Sequence, residues 1–167
     1  MRGCARGQGR QMARGMAAAR RQGGMAHGVF CAMVEGEITE GQIWEAAMCA
    51  GKYRLDNLVG IVDYNHLQID GTVEEVMPLE PLGDRWASFG WNVIHIDGHN
   101  IERIDEAFRA AEDFKGKPTV VIAHTVKGKG VSFMENNVAW HGHPPVGEDY
   151  VKARAELVAH LNELEGK

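Results

Sequence analysis

The sequence predicts an α/β domain with a doubly wound, mainly parallel sheet and helices on both faces. Two observations lead to this prediction. Short apolar runs rich in branched residues occupy 29–34, 58–62 and 119–125, and each is too short for a helix but suits a buried parallel strand. Segments with the apolar spacing of helices lie between these runs. Strands that alternate with helices in this way are typical of parallel sheets.

The first strand, a helix and the second strand form one unit. Thr39 followed by Gln42 matches a capping box, and a broad apolar helical face comes directly after it. The face consists of Ile43, Trp44, Ala46, Ala47, Met48 and Ala50. The segment is therefore predicted to be the crossover helix between two parallel strands.

Two oxygen-bearing side chains, Glu35 and Asn65, follow these two strands directly. Ligands gather outside the carboxyl ends of parallel strands, and the tips of adjacent strands lie roughly 5 to 10 Å apart. Oxygen ligands suit Mg2+, which takes few protein ligands and fills its octahedron with phosphate oxygens. The pattern predicts a Mg2+ site that holds a diphosphate cofactor.

The middle of the chain contains a connection, a helix and a strand. Residues 66–81 include two prolines and scattered acids, which predicts a surface connection. Residues 82–89 suit a short helix that ends at Gly90. From Trp91 to Asp97 apolar and polar residues alternate, as they do in a strand.

The carboxyl-terminal part contains two predicted helices and a long loop. Asn100 suits the N-cap of the first helix, and the loop at 126–147 is long enough to be functional. In that loop the backbone of 127–130 could approach a phosphate, and the ring of His141 could donate to an oxygen anion. A terminal amphipathic helix is predicted from the spacing of Val151, Ala155, Val158, Leu161 and Leu164.

Composition limits the function classes. The chain has 167 residues, of which 44% are hydrophobic, and this suits one ordinary domain. A net charge of −5 argues against nucleic acid as a partner, and no apolar run is long enough to span a membrane. Three widely spaced cysteines, Cys4, Cys31 and Cys49, favour a reduced cytoplasmic setting.

The run EGEITEGQIWEAAMCAGKYRLDNLVGIVDYNHLQIDG at 35–71 resembles the thiamine-diphosphate motif of transketolases, which begins Gly-Asp-Gly-Glu and closes on an Asn. The similarity continues through EEVMPLEPLGDRWASFGWNVIHIDGHN, KPTVVIAHTVKGKGVSFMENN and WHG, so it covers nearly the whole chain. The chain resembles split transketolases in particular, in which the diphosphate-binding domain is a separate amino-terminal subunit.

The resemblance implies a thiamine-diphosphate-binding fold with a defined set of site residues. Mg2+ would be held by Glu35, Asn65 and the main-chain oxygen of Leu67. The implied cofactor contacts are Gly36, Asn65, Lys127 and His141. His141 would also be catalytic, at the reacting centre.

Two departures from the motif concern the metal. The family's first Gly is Val34 in this chain, and its metal-binding Asp is Glu35. The extra methylene moves the carboxylate by roughly 1.5 Å, and Mg2+ tolerates poor octahedral geometry badly. Weak metal binding is therefore expected.

Glu37 and Glu40 also match functional positions of the family, and the position of Glu40 lies near a subunit interface. Acids in the first turn of a helix are, however, also favoured by the helix dipole alone.

The first 21 residues carry six arginines, and this segment allows two interpretations. One is a transit peptide. The favoured one is that the Gly-Gln-Gly turn at 7–9 and the small residues at 15–20 resemble the turn and helix that precede the cofactor motif in transketolases. The family has a long segment ahead of this turn, so residues 1–167 are expected to form a single diphosphate-binding domain that lacks it. A truncated, a divergent and an imperfectly predicted gene product all stay open.

The implied function is transfer of a two-carbon ketol unit between sugar phosphates, as in the pentose phosphate pathway. The group that activates the aminopyrimidine lies in another domain of the family. We therefore expect a homo- or hetero-oligomer that includes a carboxyl-terminal subunit, and an isolated chain that is inactive. Two alternatives stay open. One is another thiamine-diphosphate enzyme, such as deoxyxylulose-phosphate synthase or a dehydrogenase component. The other is a non-catalytic or degenerate interaction subunit, which Val34 and Glu35 favour.

Overall fold

The computed structural model describes Gly15 and residues 28–166. The predictions for Cys4, the Gly-Gln-Gly turn and the small-residue helix fall outside the described residues, apart from Gly15. In chain order the elements are β1 (Val29–Val34), α1 (Glu35–Ile38), α2 (Gly41–Lys52), β2 (Leu58–Tyr64), β3 (Leu67–Gln68), β4 (Gly71–Thr72), α3 (Val73–Val76), α4 (Leu82–Ser88), β5 (Asn92–Asp97), α5 (Ile101–Asp113), β6 (Thr119–His124), a 3-10 turn (Val138–Trp140) and α6 (Gly147–Leu164).

The centre of the fold is a four-stranded sheet in the order β1-β2-β6-β5, and every neighbouring pair is parallel. The register places Val34 beside Asp63 and Tyr64 beside His124. The carboxyl ends of the strands therefore meet at one edge of the sheet. Glu35 and Asn65 follow β1 and β2 directly at this edge, as the sequence predicted.

Apolar side chains pack on both faces of the sheet, since successive residues of a strand point to opposite faces. Leu58 and Val62 of β2 belong to the larger core, which includes Ile43 of α2 and Trp86 of α4. Val59 of the same strand packs on the other face with Ala107 and Ala111 of α5. Helices on both faces of a parallel sheet confirm the predicted α/β fold.

The first helix differs from the prediction. Thr39 does not cap α2; it is the C-cap of the four-residue helix α1, and its hydroxyl donates to the carbonyl of Gly36 at 2.8 Å. The N-cap of α2 is Glu40, which makes no side-chain cap hydrogen bond. The predicted capping box at Thr39 and Gln42 is therefore wrong, because the chain winds into α1 as soon as β1 ends.

The segment at 66–81 is more than a surface connection. It contains the antiparallel hairpin of β3 and β4 and the short helix α3, whose N-cap Thr72 forms a capping box with Glu75. Val73 and Leu79 are buried in the larger core. The sequence did not predict this packing, because the two prolines of the segment favour a surface connection.

The terminal helix forms as predicted, but its predicted apolar face is not packed. Val151, Leu161 and Leu164 are 65%, 52% and 73% exposed, and Ala153 is the buried residue of α6. Over the described part of the chain, no helix is both long and apolar enough to cross a membrane.

Candidate functional site

A cavity of about 230 Å³ opens at the carboxyl edge of the sheet. Its wall combines the turn after β1, the end of β2, the β3–β4 hairpin and the loop at 126–147. Five of the six predicted site residues line it, namely Gly36, Asn65, Leu67, Lys127 and His141. The sixth, Glu35, lies beneath the surface and is 1% exposed.

The Glu35 carboxylate joins the ends of β1 and β2. One of its oxygens accepts the backbone N–H of Asn65 at 3.1 Å, and the other accepts that of His66 at 2.9 Å. Burial raises the pKa of this carboxyl from 4.5 to about 7, although the two backbone hydrogen bonds act in the opposite direction. The site thus holds a carboxylate whose charge is poorly compensated by the protein itself.

Local geometry after β2 positions this contact. His66 adopts a left-handed conformation with φ of 63°, and its ring lies 4.3 Å from the ring of Tyr64. The Asn65 side-chain oxygen accepts the backbone N–H of Leu67 at 3.1 Å. The chain therefore turns sharply at 65–67, and this turn aims two successive N–H groups at Glu35.

The hairpin that follows fixes one wall of the cavity. Leu67 pairs with Thr72, and Gln68 pairs with Gly71. The Val73 backbone N–H donates to the carbonyl of His66 at 3.0 Å, which closes the hairpin onto the turn. Gln68, Ile69 and Asp70 are thereby presented to the cavity.

The opposite wall comes from the irregular loop. A Cβ on Gly128 would lie 2.5 Å from the carbonyl oxygen of Met134, and its φ is 77°, so only glycine suits this position. The Trp140 indole donates to the carbonyl of Phe133 at 3.1 Å. These contacts fold the loop on itself and bring Lys127 and His141 to the same cavity.

Gly36 keeps one side of the cavity open. A Cβ built on it would have as its nearest neighbour the Gln68 side-chain oxygen, at 3.9 Å. Packing therefore does not demand glycine here. A side chain would instead extend toward the space that Gly36 lines, so the residue allows close approach of a ligand to the backbone.

The charges of the wall are unbalanced. Four carboxyl residues line the cavity, namely Glu37, Glu40, Asp63 and Asp70, against the single ammonium group of Lys127. An anion with several charges would be repelled there unless a cation accompanied it. A cation bound beside the anion would offset this repulsion.

The donor set fits Mg2+. Glu35 supplies a buried carboxylate, Asn65 an amide oxygen and Leu67 a main-chain oxygen, and all three are hard ligands. Among residues 28–166 no group of three His, Cys, Asp or Glu side chains could hold a metal. That result is compatible with the set, because only one of its three members belongs to those residue types.

Sequence reasoning missed three polar residues of the cavity wall, namely Asp63, Gln68 and Asp70, and the apolar Ile69 between the last two. Asp63 is the penultimate residue of β2 and pairs with Val34, and its carboxylate accepts a hydrogen bond from the Thr125 hydroxyl. The Asp70-Gly71 pair is a turn signal that would have placed 68–70 at a hairpin tip. No local signal marked Asp63, because its position depends on pairing between strands.

Three histidines without a predicted role lie beside the site. The Nδ1 atom of His95 and the Nε2 atom of His124 are 3.0 Å apart, and the His124 ring packs edge-on against Tyr64. Burial, and then the proximity of His95 and His66, lower the pKa of His124. The Tyr64 hydroxyl donates to Glu80, so this histidine cluster also has an acidic neighbour.

The chain resembles known proteins over most of its length. It is 44% identical over 159 residues to an apulose-4-phosphate transketolase subunit of Phocaeicola vulgatus, covering 95% of this chain and 57% of that protein. It is 46% identical over 151 residues to the 6-deoxy-6-sulfo-D-fructose transketolase subunit SqwG of a Clostridium species, covering 90% and 55%. The chain thus spans just over half the length of these relatives.

The fold is similar to solved structures of the same kind. The transketolase structure from Campylobacter jejuni superposes with a TM-score of 0.83 at 31% identity, covering 90% of this chain and 25% of that one. Residues 3–162 match the family model described as transketolase, thiamine diphosphate binding domain. The chain therefore belongs to the transketolase family and carries its thiamine diphosphate-binding domain.

Proposed function

We propose that this chain binds thiamine diphosphate together with Mg2+ as one subunit of a transketolase. The observation that carries the proposal is the cavity, in which Gly36, Asn65, Leu67, Lys127 and His141 meet above the Glu35 carboxylate. The carboxyl residues in its wall would repel a diphosphate alone, so they favour a diphosphate that binds together with Mg2+.

Each residue has a role in this proposal. Glu35, the Asn65 amide and the Leu67 carbonyl hold the metal, while Gly36 and Lys127 accommodate the diphosphate. His141 lines the same cavity, and in this proposal its ring donates a hydrogen bond to charge that develops on the substrate. Thiamine diphosphate, when bound, supplies the covalent chemistry of ketol transfer, and the chain supplies orientation and exclusion of water.

The proposed substrates are anionic sugars, and the proposed partner is a carboxyl-terminal transketolase subunit. Two relatives are named as transketolase subunits, one for apulose 4-phosphate and one for 6-deoxy-6-sulfo-D-fructose. The partner would provide the group that ionises the aminopyrimidine, and the assembly would be a homo- or hetero-oligomer. A cytoplasmic location and a role in sugar-phosphate metabolism of the pentose phosphate type complete the proposal.

A non-catalytic subunit is the second candidate. Val34 replaces the family's first glycine and Glu35 its aspartate, and both changes lie at the proposed metal site. Such a subunit would keep the fold and the partner contact without the cofactor. Measured cofactor affinity separates the two candidates.

Isothermal titration of thiamine diphosphate with Mg2+ tests the proposal, with and without a matching carboxyl-terminal subunit. Binding that requires Mg2+ and tightens when the partner is added is the expected result. Thiamine without its diphosphate is the control ligand, and it should bind much more weakly to the isolated chain. An assembled complex that binds no cofactor would favour the non-catalytic candidate.

A further inference from the structure

One buried polar group in the cavity wall, the side-chain amide nitrogen Nε2 of Gln68, lacks a hydrogen-bond partner within the described part of the chain. A buried amide without a partner destabilises a fold, and an apolar residue of similar length would avoid this effect. A ligand that accepts a hydrogen bond from the amide would remove this destabilising effect.

Gln68 is held in place at this point. Its backbone pairs with Gly71 in the β3–β4 hairpin, and the hairpin is closed by the contact from Val73 to His66. The capping box between Thr72 and Glu75 fixes the far side, since the Glu75 carboxylate accepts both the backbone N–H and the hydroxyl of Thr72. The backbone of Gln68 is thus held by a short, hydrogen-bonded hairpin, and this fixes the point from which its side chain extends.

The carboxamide faces the residue that accommodates the diphosphate. Gln68 lines the cavity, and its side-chain oxygen is the atom nearest to a Cβ built on Gly36. A half-turn of the amide exchanges its oxygen and nitrogen without changing its shape. An anion in the cavity selects the orientation that presents the N–H groups, and the enclosed end then carries a carbonyl oxygen, which tolerates a missing partner better than an N–H.

We propose that the Gln68 carboxamide donates a hydrogen bond to the diphosphate group of bound thiamine diphosphate, and is thereby a binding residue of this site. The inference rests on the proposed function. Gln68 adds a neutral donor to a wall in which Lys127 is otherwise outnumbered by carboxylates. A neutral donor recognises the anion without adding to the charge of a site that already holds a metal.

Two substitutions and a matched control test the role. Gln68→Met keeps the length of the side chain and removes the donor, whereas Gln68→Glu keeps the shape and adds a negative charge. Gln42→Met is the control, because Gln42 is a partly exposed glutamine of α2 outside the cavity. The probes are thiamine diphosphate with Mg2+ and inorganic pyrophosphate with Mg2+, titrated calorimetrically into the full chain.

Gln68→Met should weaken both probes about tenfold, as expected for a lost hydrogen bond to a charged group. Gln68→Glu should weaken them further, and Gln42→Met should bind like the wild type. The ligand-free melting temperature of Gln68→Met should equal or exceed that of the wild type, because the substitution removes an unpartnered amide. A merely structural role predicts the opposite change in stability.

The outcomes separate this inference from the proposed function. Wild-type binding that Gln68→Met leaves unchanged would overturn the role of Gln68 alone. A Gln68→Met protein that loses both affinity and thermal stability would also overturn it, since the residue would then act through the fold. A wild-type chain that binds neither probe, with or without the partner subunit, would overturn both proposals.

Discussion

The Glu35 carboxylate accepts the backbone N–H of His66 at 2.9 Å, although the two residues lie 31 positions apart in the chain. The contact joins the end of β1 to the end of β2, and it depends on the left-handed conformation of His66. Because the second carboxylate oxygen accepts the neighbouring N–H of Asn65, the same side chain supports the strand ends and faces the predicted metal ligand. One carboxyl group thus links two strand ends and is also the proposed metal ligand.

Glu35→Asp should strengthen Mg2+ binding, by about tenfold, because the shorter carboxylate restores the reach used in the family and Mg2+ demands nearly ideal octahedral geometry. Titration of Mg2+ into both proteins in the presence of thiamine diphosphate measures the change. Glu35→Gln is the control and should weaken binding, since it removes the charge. Equal affinities for the wild type and Glu35→Asp would reject the geometric argument.

Stability should fall as the pH rises from about 4.5 to about 7, because the pKa of Glu35 is raised from 4.5 to about 7 in the folded protein. In that range the folded protein keeps a proton that the unfolded chain has released. The loss should reach on the order of 2 to 3 kcal/mol above pH 7. Urea unfolding at pH 5 and pH 8 measures it.

Glu35→Gln is the control for this pH dependence, because the glutamine does not titrate. Its free energy of unfolding should change less between pH 5 and pH 8 than that of the wild type. If both proteins show the same change, another group carries the pH dependence. Mg2+ with thiamine diphosphate should recover stability at pH 8 in the wild type, since the metal compensates the charge.

Gly36→Ala should weaken diphosphate binding about tenfold while the fold persists. The added Cβ meets no atom closer than 3.9 Å, and alanine is a better helix former than glycine by roughly 1 kcal/mol. Gly41→Ala is the matched control, because a Cβ there has no neighbour within 4 Å and Gly41 lies outside the cavity. Calorimetry and thermal melting of both variants test this, and unchanged cofactor affinity in Gly36→Ala would contradict it.

His141→Ala should lower turnover by about a hundredfold and change cofactor affinity much less. The reason is that its ring is proposed to act on charge that develops during the reaction, which is felt in kcat more than in binding. The assay requires the enzyme assembled with its carboxyl-terminal subunit. His143→Ala, an exposed histidine of the same loop outside the cavity, is the control. Lost cofactor binding with intact turnover of the remaining holoenzyme would show that the role is wrong.

The 167-residue chain on its own should show no ketol transfer and should self-associate. No activity is expected, because the proposed site contacts the diphosphate end of the cofactor and the group that ionises the aminopyrimidine is proposed to come from the partner subunit. Association is expected because Val151, Leu161 and Leu164 of α6 are largely exposed, and apolar patches of this kind drive association. Light scattering and a coupled ketol-transfer assay test the two statements.

Leu161→Lys should reduce the scattering, since it places a charge within the exposed apolar face of α6. The substitution should leave the fold intact, because the side chain is already 52% exposed. A monodisperse monomeric wild type would contradict the first statement. Turnover without any added partner would contradict the second.

Much of the fold followed from the sequence, because its signals are local. The four strands of the sheet were recognisable as short apolar or alternating runs, and α5 begins at the predicted cap, where the Asn100 side chain accepts the backbone N–H of Arg103. The resemblance to transketolases, at 35–71 and in the loop at 126–147, also predicted which residues would share a site. The structure brings Gly36, Asn65 and Lys127 into one cavity, and their roles stay predictions until binding is measured.

Only the tertiary structure decided the rest, because those features depend on residues distant in sequence. The hydrogen bonds of Glu35 come from the end of another strand, and Asp63 reaches the cavity through pairing of β2 with β1. The apolar period of α6 predicted a helix, but it could not tell whether another element would cover the face of Leu161. The periodicity of apolar residues indicates whether a segment is a helix or a strand. The burial, the hydrogen-bond partners and the pKa of a side chain depend on the residues that the fold places beside it.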